Sequence, residues 1–221
     1  MIRFLLKEND LMKRFQDISF VAGILAVLCY LAFAVLAFTQ YPMPYSPLRN
    51  WLSELGNVNL NPRGATLYNI GIIAAGLLLL LFFLGLSKWR IQNNQMQTIM
   101  LRLTQAFGVL GSVSMVLTGV YPMNFLDIHS FLSSSLYIMV ATSFVFLAAA
   151  LRYHQKFPRW LLILGLSTAL IVILTSFMTT VYVLEWITVL LFLVNVSLVG
   201  VETKRLQPER EAVIPGDKFA D

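Results

Sequence analysis

Charged residues are scarce in this chain, since only 12% of its 221 residues are Asp, Glu, Lys or Arg, whereas 58% are hydrophobic. A soluble domain of this length needs far more polar surface. The composition therefore excludes an ordinary soluble protein and indicates a polytopic membrane protein. Nothing in the sequence marks a second folded module, so we expect a single all-α transmembrane domain.

Cysteine and histidine are also rare. The one cysteine, Cys29, excludes an intramolecular disulfide and a cysteine-based metal site. The chain has two histidines and lacks the GxSxG and HExxH motifs, so we predict no metal and no cofactor. A net charge of +5 does not by itself indicate nucleic-acid binding, because the basic residues are dispersed and have no interleaved aromatics on a soluble face.

Six apolar runs are long enough to cross a bilayer, which takes about 20 residues each. They are Ile18–Thr39, Leu67–Leu86, Ile99–Tyr121, Ile128–Leu151, Trp160–Val181 and Val183–Val201. We expect a tight hairpin at Tyr182, because one helix of about 40 residues would overshoot the bilayer. The expected organisation is a cytoplasmic segment 1–17, a six-helix transmembrane domain 18–201 and a disordered cytoplasmic tail 202–221.

Lysine and arginine are distributed unequally between the two sides of these runs. Fourteen of the sixteen fall on one side, and only Arg49 and Arg63 fall on the other. By the positive-inside rule, both termini are predicted to be cytoplasmic, as an even number of spans requires. We expect the first run to be an uncleaved anchor, since acidic residues precede it at Glu8, Asp10 and Asp17.

The first non-cytoplasmic loop contains a segment with helix-capping signals at both ends. Ser46 suits an N-cap, Pro47 the first helical position and Gly56 the residue just past the end. Apolar residues recur between them at helical spacing: Leu48, Trp51, Leu52 and Leu55. We therefore expect a short interfacial helix with its tryptophan at headgroup depth. Asn61 and Pro62 repeat the capping signal and are expected to start the second span.

A second polar cluster begins the fourth span. Asp127 is a plausible N-cap, which places His129 in the first turn and puts Ser133 and Tyr137 on the same helix face. Glu185 begins the sixth span. Ionisable groups at a membrane surface are costly unless paired or hydrated, so a functional site is the default hypothesis. The candidate catalytic residues are His129, Glu54, Asp127 and Glu185; the candidate ligand-binding residues are Arg49, Trp51, Ser53, Glu54, Arg63, His129, Ser133 and Glu185.

Purely structural roles are open for the same residues. Asp127 is consistent with a simple N-cap, Glu185 with a first-turn acid favoured by the helix dipole, and His129 with a residue that fixes its loop. The small residues in the spans allow close helix packing: Gly71, Gly76, Gly108 and Gly111.

Several of these residues resemble a known group. Ser46, the stretch Leu52–Gly56, the Asn61-Pro62 pair, and Gly119 through Pro122 followed by His129 resemble the bacterial and archaeal family called domain of unknown function 998. The resemblance implies a six-span protein in a prokaryotic plasma membrane, without an established activity. The chain is also distantly similar to six-span relatives of the autophagy modulators and of a GPI-anchor-remodelling factor, which implies a lipid-linked role.

Three classes of function are compatible with these features. The first is a protein whose outer face binds a lipid headgroup or small polar ligand, with the two arginines meeting phosphate. The second is an intramembrane lipid hydrolase or transferase in which His129 is the general base or a metal ligand. One of the carboxylates Glu54, Asp127 and Glu185 would orient it or join the metal, and Ser53 or Ser133 would be the nucleophile. The third is a small-solute transporter, although Asn195 and Ser/Thr residues are the only deep polar groups. Membrane lipids are the expected partners.

Overall fold

The computed structural model describes residues 18–175 and 181–205. These residues form six α-helices: α1 Ile18–Thr39, α2 Ala65–Gly85, α3 Gln95–Val120, α4 Leu126–Leu151, α5 Arg159–Thr175 and α6 Tyr182–Arg205. Two 3-10 helices, Leu52–Gly56 and Leu86–Trp89, follow α1 and α2. Five of the helices are long and apolar enough to cross a membrane, and the described part of α5 has 17 residues. The chain is therefore a multi-pass, all-helical membrane protein.

The helices agree with the predicted runs and differ from them mainly at their ends. α3 begins at Gln95 rather than Ile99, and α6 continues to Arg205 rather than ending at Val201. Asn94 explains the earlier start of α3, because its side chain accepts a hydrogen bond from the Gln97 backbone and caps the helix. The predicted segment 1–17, the end of the fifth run at 176–180 and the tail beyond 205 lie outside the described residues.

The six helices form a closed ring, since each helix packs on the next and α6 packs back on α1. Small residues allow the close approaches. A Cβ added at Gly111 would lie 2.7 Å from Val140 of α4, and one added at Gly76 would lie 2.9 Å from Val116 of α3. The expected role of glycine in helix packing is thus confirmed at these two contacts.

Large apolar side chains are divided between the centre of the ring and its outer surface. Phe82, Phe83 and Phe144 are 2% exposed or less and pack in the main core. Leu28 and Val35 of α1, by contrast, are more than half exposed. Exposed apolar faces of this extent suit contact with lipid chains rather than water.

Residues 40–64, which connect α1 to α2, are called loop 1. The end of the ring at which they lie is called the loop-1 end. Alternating helix directions also place there the end of α3 and the starts of α4 and α6. Most basic residues of the described ranges lie at the opposite end: Lys88, Arg90, Arg102, Arg152, Lys156, Arg159, Lys204 and Arg205. The structure therefore preserves the charge asymmetry on which the predicted orientation depends.

Loop 1 does not contain the continuous helix expected from Ser46 to Gly56. One turn forms, because the Ser46 carbonyl accepts hydrogen bonds from Arg49 N and Asn50 N, each at 2.9 Å. Trp51 then adopts an extended conformation with φ −67° and ψ 142°, and the 3-10 helix starts at Leu52. The Glu54 carboxylate accepts from Trp51 N at 3.1 Å and so creates a new helix start after Asn50.

The break changes which apolar residues of loop 1 are buried. Leu52 and Leu55 are only 4% and 1% exposed, whereas Leu48 is 74% exposed. Gly56 lies inside the 3-10 helix rather than just past a longer helix, and a Cβ there would lie 2.9 Å from the Tyr68 ring. Loop 1 is therefore packed onto α2 instead of forming one amphipathic helix.

Candidate functional site

The Glu54 carboxylate accepts hydrogen bonds from three other residues of loop 1 and so stabilises its conformation. Its side chain is 9% exposed, and its Oε2 accepts hydrogen bonds from Asn50 Nδ2 at 2.8 Å and Tyr41 Oη at 3.2 Å. Burial, reinforced by the neighbouring Glu54, raises the pKa of Tyr41 to about 12. Tyr41 is therefore a hydrogen-bond donor to Glu54 at neutral pH.

Asn61 joins loop 1 to both flanking helices. Its side chain is fully buried, and Nδ2 donates to the carbonyls of Ala37 at 3.1 Å and Leu55 at 2.9 Å. Its Oδ1 accepts from Gly64 N at 3.1 Å, which caps the turn leading into α2. Asn61 therefore caps the turn before α2 rather than the helix itself, which begins at Ala65 with Gly64 at the cap position. The two bonds made by Nδ2 could not be predicted from the sequence.

Glu185, in the first turn of α6, connects three parts of the fold. Its Oε2 accepts from Leu52 N at 2.7 Å and Ser53 N at 3.4 Å, and its Oε1 accepts from Tyr137 Oη at 3.4 Å. The first N–H groups of a helix have no partner within that helix. The Glu185 carboxylate therefore caps the 3-10 helix from a distant part of the chain.

Two tyrosines that were not among the predicted site residues lie near this carboxylate. The hydroxyls of Tyr30 on α1 and Tyr68 on α2 are 3.2 Å apart, and both side chains are buried. Together with Tyr137 and Glu185 they bring polar groups from four helices to one place. A tyrosine in an apolar run needs a partner for its hydroxyl, and this requirement is the signal that could have identified them.

His129 connects the end of α3 to the start of α4. Its ring is 7% exposed, and Nδ1 lies 3.0 Å from the Tyr121 carbonyl oxygen. The Thr118 carbonyl is a second partner of the ring. The last carbonyls of a helix have no partner within it, so His129 satisfies the end of α3 as well as facing the centre of the bundle.

The two candidate serine nucleophiles bond to groups other than the imidazole. Ser133 Oγ donates to the backbone carbonyl of His129 at 2.8 Å, and Ser53 Oγ donates to Met123 Sδ at 3.8 Å. A serine activated for attack would instead donate to its base. The hydrolase hypothesis remains a prediction.

An inner cavity of about 90 Å³ lies between α1, α2, α3, α4 and α6. Five polar residues line it at the loop-1 end and also line a second, outer groove; we call them the polar boundary: Ser53, His129, Ser133, Tyr137 and Glu185. Tyr30, Tyr68 and Thr118 also line the inner cavity, and the rest of its wall is mainly apolar, with Ala75, Leu79 and Val196 among its residues.

The outer groove has a volume of about 490 Å³ and lies between loop 1, α4, α5 and α6. Trp51 contributes to it from loop 1, where its ring also packs edge-on against Tyr182 at 4.8 Å between centroids. Because both spaces share the polar boundary, one molecule in the groove could reach polar groups and the apolar interior together.

The structure thus brings five of the predicted site residues together: Trp51, Ser53, His129, Ser133 and Glu185. The others lie elsewhere. Arg49, Arg63 and Asp127 are exposed, Glu54 is inside loop 1, and none of these four belongs to the described lining of the two spaces.

Asp127 does not cap α4. The helix begins at Leu126, one residue before Asp127, and Phe125 occupies the cap position. Within the described ranges, no three His, Cys, Asp or Glu side chains are grouped to hold a metal ion.

Most of the chain matches one protein family. Residues 24–202 match the family model described as a protein of unknown function, DUF998. Neither the search of curated proteins nor the search of solved structures found a match. The match begins within α1 and ends within α6, and it includes loop 1 and the whole polar boundary.

Proposed function

We propose that this chain, which belongs to the DUF998 family of unknown function, binds an amphiphilic lipid at the loop-1 end. The supporting observation is the polar boundary, which lines both the outer groove and the apolar inner cavity. A bound amphiphile would place its polar head at the boundary and part of its hydrocarbon chain against Ala75 and Leu79.

The dimensions and chemistry of the groove support this proposal. Its volume of about 490 Å³ is within the range of small-molecule sites, which is roughly 300–1,000 Å³. Such sites combine apolar walls with a few placed polar groups. Here the polar groups come from loop 1, α4 and α6, so binding would depend on the folded bundle rather than on one segment.

The location of the site follows from the predicted orientation. We propose that the loop-1 end faces outward from a prokaryotic plasma membrane. Segment 1–17 and the tail after Arg205 would then lie in the cytoplasm on either side of the transmembrane helices. Arg49 and Arg63 are exposed at that end, where they would meet phosphates of bilayer lipids. The site would then accept ligands from the outer leaflet or the outer solution.

Binding can be tested with three amphiphiles that share a dodecyl-length chain: dodecyltrimethylammonium, monododecanoylglycerol and dodecanoate. Native mass spectrometry of the full chain, released from a nonionic detergent, counts the bound molecules. We expect one saturable site for at least one amphiphile. Ala75→Phe should reduce its occupancy at least about tenfold, because the larger side chain fills the inner cavity.

Leu77→Phe is the matched control, since Leu77 lies on the same helix and is 54% exposed on the outer surface. It should leave occupancy unchanged. Thermal unfolding of both variants separates a blocked cavity from a misfolded bundle. If no amphiphile of any charge saturates the folded wild-type protein, the proposed function is wrong.

A further inference from the structure

We propose that the polar boundary selects an amphiphile with a cationic amine head, of the alkylammonium class, over neutral or anionic amphiphiles. This inference rests on the proposed function and specifies its ligand. It depends on the charge balance of the site, on the unfilled acceptor capacity of Glu185 and on the nearby aromatic rings.

The charge balance favours a cation. Glu185 supplies the one carboxylate among the described lining residues of the inner cavity and the outer groove, and that lining includes no lysine or arginine. Arg49 and Arg63 are exposed outside both spaces. An anionic head at the boundary would therefore face Glu185 without a compensating cation, whereas an ammonium head would pair with it.

Glu185 also has room for another partner. Its Oε2 accepts two backbone hydrogen bonds, from Leu52 and Ser53, and the Ser53 side chain is a further partner of the carboxylate. The contact between Oε1 and Tyr137 Oη is long, at 3.4 Å, so a stronger donor could bind there. A carboxylate oxygen can accept two hydrogen bonds. Withdrawal from water opposes a charge at this position, and a cationic ligand would offset that cost while the two backbone donors hold the carboxylate in place.

Aromatic residues complete the environment for an ammonium group. Trp51 and Tyr137 line the same groove as Glu185. The faces of such rings attract ammonium and alkylated ammonium groups, and the attraction strengthens when water is excluded. Serine hydroxyls at Ser53 and Ser133 add acceptors for a primary amine. The groove thus offers one ionisable carboxyl group, aromatic surface and neutral acceptors.

The test measures the affinities of dodecyltrimethylammonium, monododecanoylglycerol and dodecanoate for the full chain in nonionic detergent. We expect the wild-type protein to bind the ammonium compound about tenfold or more tightly than the other two. Glu185→Gln should remove most of that preference, because it should weaken binding of the ammonium compound more than binding of the other two. The glutamine carbonyl can still accept from Leu52 N, so loop 1 keeps its anchor.

Glu202→Gln is the matched control, because Glu202 is also on α6 but pairs with Arg205 at the opposite end. It should retain the ammonium preference. Saturable binding without a charge preference in the wild-type protein would overturn this inference and leave the proposed function standing. Absence of any saturable binding would instead overturn the proposed function. Because the wild-type protein alone shows whether the ammonium compound is preferred, the inference can be tested even if Glu185→Gln folds poorly.

Discussion

Two acidic residues at the loop-1 end have different surroundings although the sequence presents them alike. Among the described residues, Glu54 accepts hydrogen bonds from Tyr41, Asn50 and Trp51 of loop 1. Glu185 bonds to loop 1 across more than a hundred residues of sequence and also lines the groove. The first therefore organises the loop, and the second is available to contact a ligand.

Glu54→Ala is expected to destabilise the fold by about 2–3 kcal/mol, since it leaves three hydrogen-bond donors without their acceptor. Thermal or denaturant unfolding in detergent measures the change. Asp127→Ala, at an exposed first-turn position, should cost less than about 1 kcal/mol. Equal effects of the two substitutions would contradict the role assigned to Glu54.

At the scale of the elements, glycine positions show where the helices touch most closely. Gly111 of α3 lies tightly against Val140 of α4, whereas a Cβ added at Gly165 of α5 would make only ordinary van der Waals contacts. Both glycines lie inside apolar helices and look equivalent in sequence. Only the packing of neighbouring helices distinguishes them.

Gly111→Ala should destabilise the bundle by about 1–3 kcal/mol, because the new Cβ would lie 2.7 Å from Val140 Cγ2. Gly165→Ala is the control, as its Cβ would meet Asn195 and Phe144 at 3.6 and 3.7 Å, which is ordinary contact. That change should be neutral or slightly stabilising, since alanine favours helix more than glycine does. Unfolding temperatures of the purified variants provide the comparison.

At the scale of the whole molecule, the bundle has a basic end and a loop-1 end. Eight of the ten lysines and arginines in the described ranges lie at the basic end, away from Arg49 and Arg63. An even number of helices returns the chain to the end from which it started. These two features together support the proposed orientation, with the groove facing outward.

Cysteine labelling in cells tests this orientation. In a Cys29→Ala background, a membrane-impermeant maleimide should label Asn59→Cys in loop 1 on intact cells. Ser87→Cys, at the basic end, should react only after permeabilisation, because the bilayer shields it. Both native side chains are exposed, so access depends on sidedness rather than burial. The reverse pattern of labelling would show that the groove faces the cytoplasm.

The sequence predicted the helical runs well because each bilayer crossing needs a long apolar segment, and that requirement is local. The face formed by His129, Ser133 and Tyr137 was also predictable, since helical spacing alone aligns them. The interfacial helix was predicted less accurately. The capping signals at Ser46 and Gly56 predict one helix between them. The structure instead has one turn after Ser46 and a separate 3-10 helix, whose start is capped by the Glu54 side chain.

The sequence by itself determined the class of protein, the helical runs and the asymmetry of basic charge, because hydrophobicity and charge act through residue type and local spacing. Only the tertiary structure decided that Glu185 caps the 3-10 helix, that Tyr30 and Tyr68 meet beside it, and that Glu54 lies apart from the groove. These contacts join residues distant along the chain. They depend on how the ring of helices closes, and closure is a property of packing between elements rather than of any single one.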